Sequence, residues 1–203
     1  MDAITAWLDQ AAASPWLAPV LFVLVVADAF LVVLPSETFV VALGSLALST
    51  GSPPIALVLA VAALGAVVGD NACYWIGRRI GTERFRWMRR PRIAAAIEHA
   101  RVALGRRPAA IILTARYIPF ARIAANLTAG ATRFAYRRYL PLTVIAGVGW
   151  ALYNCLIGAL FGAWFSANPV LAIVLSVIVA IGLGIAIDTI TARLTAPRTR
   201  PSD

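Results

Sequence analysis

Charge is what this sequence has least of. Of its 203 residues only 13% are charged, and 61% are hydrophobic, with a mean hydropathy of +0.84. A soluble domain carries about a quarter charged residues. Charge-free runs cover residues 38–69 and 139–187. Runs of about 20 apolar residues are long enough to cross hydrocarbon. The scarcity of charge therefore excludes an ordinary soluble fold and predicts an all-α polytopic membrane protein, with little chain left over for a second domain. Lysine is absent: all 18 basic residues are arginine, which reflects a GC-rich genome rather than chemistry. Histidine occurs once, at His99, and no acids are clustered in the DxxD manner of a metal site. That combination argues against a metal centre, a cofactor or a metal-dependent lipid phosphatase. The two cysteines, Cys73 and Cys155, lie in apolar segments without metal spacing. They read as small hydrophobes rather than as a disulfide. The N-terminus, MDAITAWLDQ, lacks the basic n-region of a cleaved signal peptide.

What charge there is has one sign and a place. The formal net charge is +9. In a membrane protein an arginine excess marks cytoplasmic loops rather than a nucleic-acid site. Ten of the thirty residues 78–107 are arginine, and RFAYRR at 133–138 is a second basic patch. If both face the cytoplasm, the apolar stretch 108–132 enters and leaves on one side, as a re-entrant hairpin turning near Pro119. Such backbone is tolerated at membrane depth only where protein or water covers it. The span 55–77 then starts outside, and residues 16–50, broken at Pro35, form a second hairpin dipping from that side. Ile93, Ile97, Ala100 and Leu104 recur at helical spacing and predict a surface amphipathic helix over 84–107. The first dozen residues form a further short amphipathic segment.

Spans at 139–163 and 168–190 complete a membrane domain of residues 1–192, followed by a disordered basic cytoplasmic tail over 193–203. Each half reads as amphipathic helix, re-entrant hairpin, span, with one more span at the end. GxxxG patterns at Gly77–Gly81 and Gly158–Gly162 fall at matching places in the two halves. The expectation is an inverted repeat with its site where the two broken segments meet.

Five ionisable residues lie inside apolar segments: Asp28, Glu37, Asp70, Arg116 and Arg122. Each costs about 2.5–3.5 kcal/mol at the bilayer centre on insertion scales. They must face a wet cavity, pair with one another, or both. One reading makes them internal salt bridges that hold the hairpins together. The other makes them the lining of a substrate path. Arginine presents a planar fork matched to phosphate oxygens and stays charged. Arg116 and Arg122, on either side of Pro119, can converge on one phosphate. The acids Asp28, Glu37 and Asp70 suit proton coupling, because burial raises a carboxyl pKa and a neighbouring arginine lowers it. Asn71, Asn126 and Asn154 are candidates for neutral polar lining, and helix packing explains them equally well.

Three stretches carry a resemblance. Pro35-Ser36-Glu37 preceded by Asp28, GDNACYWIGRRIG at 69–81, and ARYIPFARIAANLTAGATRFAYRRYL at 115–140 together resemble the signatures of the DedA family of bacterial membrane proteins. That family shares a domain with lipid scramblases of the eukaryotic endoplasmic reticulum. Asp28 stands where many relatives have Glu. The resemblance covers residues 15 to about 165. It implies a non-enzymatic carrier in the bacterial cytoplasmic membrane that moves polyprenyl phosphate, the cell-wall carrier lipid, between leaflets for recycling, coupled to an ion gradient, with the proton expected. It places Arg116 and Arg122 at the family's basic positions and Asp28 and Glu37 at its acidic ones. A gradient-independent phospholipid scramblase is the alternative, and an intramembrane lipid-phosphate enzyme a third reading from a different class. Membrane lipid is the expected partner, nucleic acid is not, and a second copy of the chain is admissible.

Overall fold

The computed structural model describes residues 14–31, 36–86 and 88–164 and, singly, Leu175 and Ile178. The amphipathic segment expected over the first dozen residues, the break at Pro35, most of the span expected over 168–190 and the tail over 193–203 lie outside the described residues. Every regular element among the described residues is a helix: α1 (Leu17–Asp28), α2 (Ser36–Ser49), α3 (Ile55–Ile80), α4 (Pro91–Arg106), α5 (Pro108–Ala115), α6 (Pro119–Ala131) and α7 (Tyr136–Trp164).

Proline sets three of the helix starts. Pro91, Pro108 and Pro119 each open a helix, where the missing N–H would have had no partner anyway. Proline also drives the preceding residue out of the α region. Arg90 (ψ 136) and Ile118 (ψ 108) are accordingly extended. The amphipathic helix therefore begins at Pro91 rather than at residue 84. The chain before it leaves α3 through Gly81, whose φ of +69 is a conformation that glycine adopts without a Cβ clash.

Among the described residues two helices are long and apolar enough to cross a membrane, Ile55–Ile80 and Tyr136–Leu160. The 26 residues of α3 extend about 39 Å at 1.5 Å per residue, more than the roughly 30 Å of hydrocarbon. Only 33% of the most apolar window of α3 and 44% of that of α7 is buried inside the protein. Leu57, Leu64, Val68 and Trp75 on α3, and Ile145, Val148, Leu152 and Leu156 on α7, form exposed apolar stripes at helical spacing. Water would penalise such faces and lipid would not.

Backbone, not side chains, makes the closest crossings. Where α2 meets α7, a Cβ on Gly44 would meet the carbonyl of Cys155, and one on Gly158 would strike the carbonyl of Val41. Where α3 meets α6, a Cβ on Gly77 would strike the carbonyl of Leu127, and one on Gly130 the carbonyl of Tyr74. The register is the same in both: on each helix the contacting carbonyl lies one turn before the contacting glycine. Gly77 and Gly158 are thus packing glycines, whereas a Cβ on Gly81 would meet nothing within 4 Å. A GxxxG that the sequence reading passed over, Gly65–Gly69, seats α3 against Val25 of α1 and against Ala29 just past its end.

Two apolar clusters flank the centre. One gathers Leu21, Val25, Val40, Val58, Ala62, Ala66, Trp150, Ala151 and Cys155. The other gathers Tyr74, Leu104, Ile112, Ala129 and Tyr139. The buried charges lie in the same bundle.

Candidate functional site: a buried polar layer

The break before Pro119 creates the site. The N–H groups of Tyr117 and Ile118 bond the carbonyls of Thr114 and Ala115 at 3.2 and 3.1 Å, a tightening of the last turn of α5 into 3₁₀-type geometry. Ile118 is extended, and α6 starts at Pro119. Arg116 closes α5 and Arg122 lies in the first turn of α6. Both side chains are buried, at 2% and 9% exposure.

Each guanidinium is held by an acid from the N-terminal half. Arg116 Nη1 donates to Asp70 Oδ2 in a short ion pair. Asp70 also accepts from Asn126 Nδ2 at 2.9 Å and from the Thr143 hydroxyl at 3.2 Å. The Tyr139 hydroxyl lies 2.9 Å from the Asp70 carbonyl and 3.1 Å from Asn126 Oδ1, two acceptors for its one proton. Tyr139 stacks on Tyr74 with ring centroids 4.5 Å apart. Four helices therefore fix this carboxylate: its own α3, and α5, α6 and α7 through their donors.

The second pair is simpler. Arg122 gives both terminal nitrogens to Asp28 Oδ2, at 3.0 and 3.1 Å, and Nη2 also donates to the Asp28 carbonyl at 2.7 Å. Asp28 ends α1, and Arg122 begins α6. An acid at a helix C-terminus and a base at a helix N-terminus each oppose the helix dipole. Bringing them together cancels both penalties. Arg122 also caps a terminal carbonyl of α1 that has no partner in its own helix. No other donor to Asp28 is present among the described residues.

Glu37 stands apart from these pairs. It is exposed, in the first turn of α2, where a negative charge suits the dipole. Its Oε1 accepts from Trp150 Nε1 at 3.2 Å, and the Arg116 guanidinium lies over the same indole, 5.0 Å from the ring centroid. Trp150 thus bridges the acid of one broken helix pair and the arginine of the other. Among the described residues, Nε of Arg116 and Nε of Arg122 are buried without a hydrogen-bond partner, as are the hydroxyls of Ser36, Ser45 and Tyr153.

Of the residues singled out in the sequence, the fold joins Asp70, Arg116 and Asn126 in one network, Asp28 and Arg122 in another, and Glu37 to the first through Trp150. Asn71 joins neither. Its Nδ2 bonds the Val67 carbonyl of its own helix at 2.7 Å. Asn154 likewise bonds the Trp150 carbonyl at 2.9 Å. Tyr139, Thr143 and Trp150 were not singled out. Their signal was present: with Asn154 they recur at helical spacing along a span with no charge.

A family model, the VTT domain, matches residues 34–160. The chain belongs to the DedA family, whose members are membrane proteins. Similar curated proteins include the inner membrane protein YohD of Escherichia coli, 30% identical over 116 residues that make up 57% of this chain and 59% of YohD. The protein DedA of Escherichia coli is 28% identical over 156 residues, 72% of this chain and 69% of DedA. A membrane protein of Mycobacterium tuberculosis is 35% identical over 127 residues, 58% of this chain and 56% of the relative. The chain thus spans little more than half the length of two of these relatives. No solved structure matches. In this DedA-family chain the VTT match takes in Glu37, Asp70, Arg116, Arg122 and the three α7 residues, whereas Asp28 precedes it.

Proposed function

We propose that this protein is a multi-pass lipid transporter of the bacterial cytoplasmic membrane that moves a polyprenyl phosphate between leaflets, with proton uptake on Asp28 coupled to headgroup binding. The observation that carries the reading is the pair of buried guanidinium groups on either side of one helix break, each neutralised by a carboxylate from the other half of the chain. Two such ions side by side are costly to build. A phosphate monoester matches what they offer, since it accepts from planar forks and arrives with the charge that the carboxylates now supply.

The unpartnered Nε atoms leave each fork with an unused donor. In the state described here the carboxylates occupy the seat. Protonation of Asp28 removes the charge opposite Arg122 and frees that fork for the headgroup, while the isoprenoid tail stays in lipid. Asp70, with donors from three other helices, holds Arg116 in place and is the poorer candidate for release. Glu37, exposed and tied to the network only through Trp150, is a second position for the coupling proton.

The same reading makes α1–α2 and α5–α6 two re-entrant hairpins in inverted halves. The matching register of the α2–α7 and α3–α6 crossings supports it, as does the arginine-rich chain on either side of α5–α6. Carrier chemistry of this kind needs no covalent step, so the protein is a transporter rather than an enzyme.

The test is reconstitution in liposomes with labelled polyprenyl phosphate and an imposed pH gradient. Gradient-dependent flipping that is lost in Arg122→Ala and in Arg116→Ala is the expected result. Unchanged flipping by both variants sinks the reading. Equal movement of phosphatidylcholine without a gradient replaces it with a scramblase, and dephosphorylated product replaces it with a lipid-phosphate enzyme.

A further inference from the structure

Helix α4 does not sit flat on the bundle. Its apolar stripe is Ile93, Ile97, Ala100 and Leu104, and only Leu104 is sealed, at 2% exposure in the cluster with Ile112 and Tyr139. Towards its N-terminus the helix stands off. A cavity of about 230 Å³ lies beneath Ile93 and Ile97, floored by Gly77, Ala124, Leu127 and Ala131. That apolar slot shares Met88, Ile97 and Ala131 with a wider mouth of about 750 Å³, whose rim carries Arg89, Arg101 and Arg133 with Glu83 and Glu98.

The rim's charges are not all spent. Arg101 is committed to Glu98, with two hydrogen bonds of 2.9 Å, and that bonding holds the Glu98 carboxyl below its ordinary range. Arg89 gives only Nε, to the Glu83 carbonyl at 3.2 Å, and keeps its outer nitrogens. Among the described residues Arg133 makes no ion pair, and its backbone is left-handed at φ +55, where a residue with a Cβ is strained. Two uncommitted guanidinium groups therefore stand over an apolar slot, beside the end of a membrane-spanning helix.

We propose that this groove binds a bilayer phospholipid with an anionic headgroup, the phosphate at Arg89 and Arg133 and the end of one acyl chain beneath Ile93 and Ile97. Charge complementarity selects the anionic class, because the rim keeps three arginines against two glutamates. The apolar floor selects a lipid over a soluble anion, since only a chain fills a slot that water would leave unfavourably wetted. The site includes neither Arg116 nor Arg122, so it stands or falls independently of the transport reading. The lipid would act as a wedge that fixes α4 against α3 and α6.

The experiment uses the full chain, purified and delipidated in a neutral detergent and offered equimolar phosphatidylglycerol and phosphatidylcholine, with retained lipid counted by native mass spectrometry. Wild type should retain phosphatidylglycerol preferentially, by about fivefold for each arginine engaged. Arg133→Gly removes one cation and at the same time relieves the left-handed backbone. It should fold at least as well as wild type and lose about fivefold of that preference. Ala124→Phe fills the slot and should abolish retention of both lipids. Equal retention of the two lipids by wild type overturns the proposal, and so does unchanged preference in Arg133→Gly. Inorganic phosphate should not displace the bound lipid. Full displacement by phosphate alone also overturns the proposal, since the chain would then contribute nothing.

Discussion

At the α3–α6 crossing Asn126 reaches across to the Asp70 carboxylate. At the corresponding place on the α2–α7 crossing stand Val40 and Ala151, both fully buried in one apolar cluster. The backbones meet in the same register at both, glycine against carbonyl, so the two crossings offer the same frame for different contents. At that place the α2–α7 crossing carries hydrocarbon side chains, and the polar contact between its helices is the bond from Trp150 Nε1 to Glu37 Oε1. The other holds a carboxylate, an amide, two hydroxyls and a guanidinium. Close backbone approach is therefore what the repeated frame supplies, and a buried ion pair is added on one side only. That asymmetry concentrates the charged layer at a single place instead of two.

The comparison breaks most visibly at Asp70. Asp70→Ala leaves the Arg116 guanidinium buried and uncompensated, and should cost about 3–5 kcal/mol of stability, read as a fall in the denaturation midpoint in detergent. Asp28→Ala should cost less, because Arg122 keeps its bond to the backbone carbonyl of residue 28, which the substitution does not remove. Equal losses would mean that the second pair is as structural as the first.

The shared frame can be tested next. Gly130→Ala drives a Cβ into the Tyr74 carbonyl, a closer approach than Gly44→Ala makes to Cys155. Overpacking costs about 1–3 kcal/mol, and Gly130→Ala should fall at the upper end of that range and Gly44→Ala at the lower. A reversed order, measured by the same unfolding assay, would remove the case for equivalent crossings.

An amide can then be placed at the corresponding position of the other crossing. Val40→Asn puts an amide opposite Ala151 in an apolar cluster, and should cost about 1–3 kcal/mol. Pairing it with Ala151→Asp should recover part of that loss. The smallest effect is expected outside both crossings. Arg101→Ala breaks an ion pair whose side chains are more than half exposed, and the unfolding midpoint should not move measurably, since exposed pairs contribute little.

Some of this was legible without coordinates. Pro91, Pro108 and Pro119 mark helix starts because proline lacks the donor that a helix interior needs and restricts the residue before it. The apolar runs of α3 and α7 mark membrane spans because lipid tolerates what water does not. Five charges in apolar sequence had to pair or face water because hydrocarbon solvates neither sign, and four of them pair. The sequence reading erred at residue 84, where arginine-rich turns precede the helix, and at Gly81, where a glycine in a packing pattern proved to be a helix end. It placed Asn71 with the polar residues because the periodicity of one helix does not say which neighbour each face meets.

Composition and local pattern by themselves determined that the described chain is helical, that it belongs in a membrane, that it breaks before Pro119, and which charges needed a partner or water. Those properties depend on solvation and on backbone chemistry within a few residues, and both act on any segment alone. Which acid meets which arginine was decided only by the tertiary structure. Asp28 finds Arg122, Asp70 finds Arg116, and Trp150 links Glu37 to the Asp70–Arg116 pair, across separations of 94, 46 and 113 residues. Long-range pairing of this kind is set by how closely the glycines of two crossings let the helices approach, and that distance is a property of the assembled bundle.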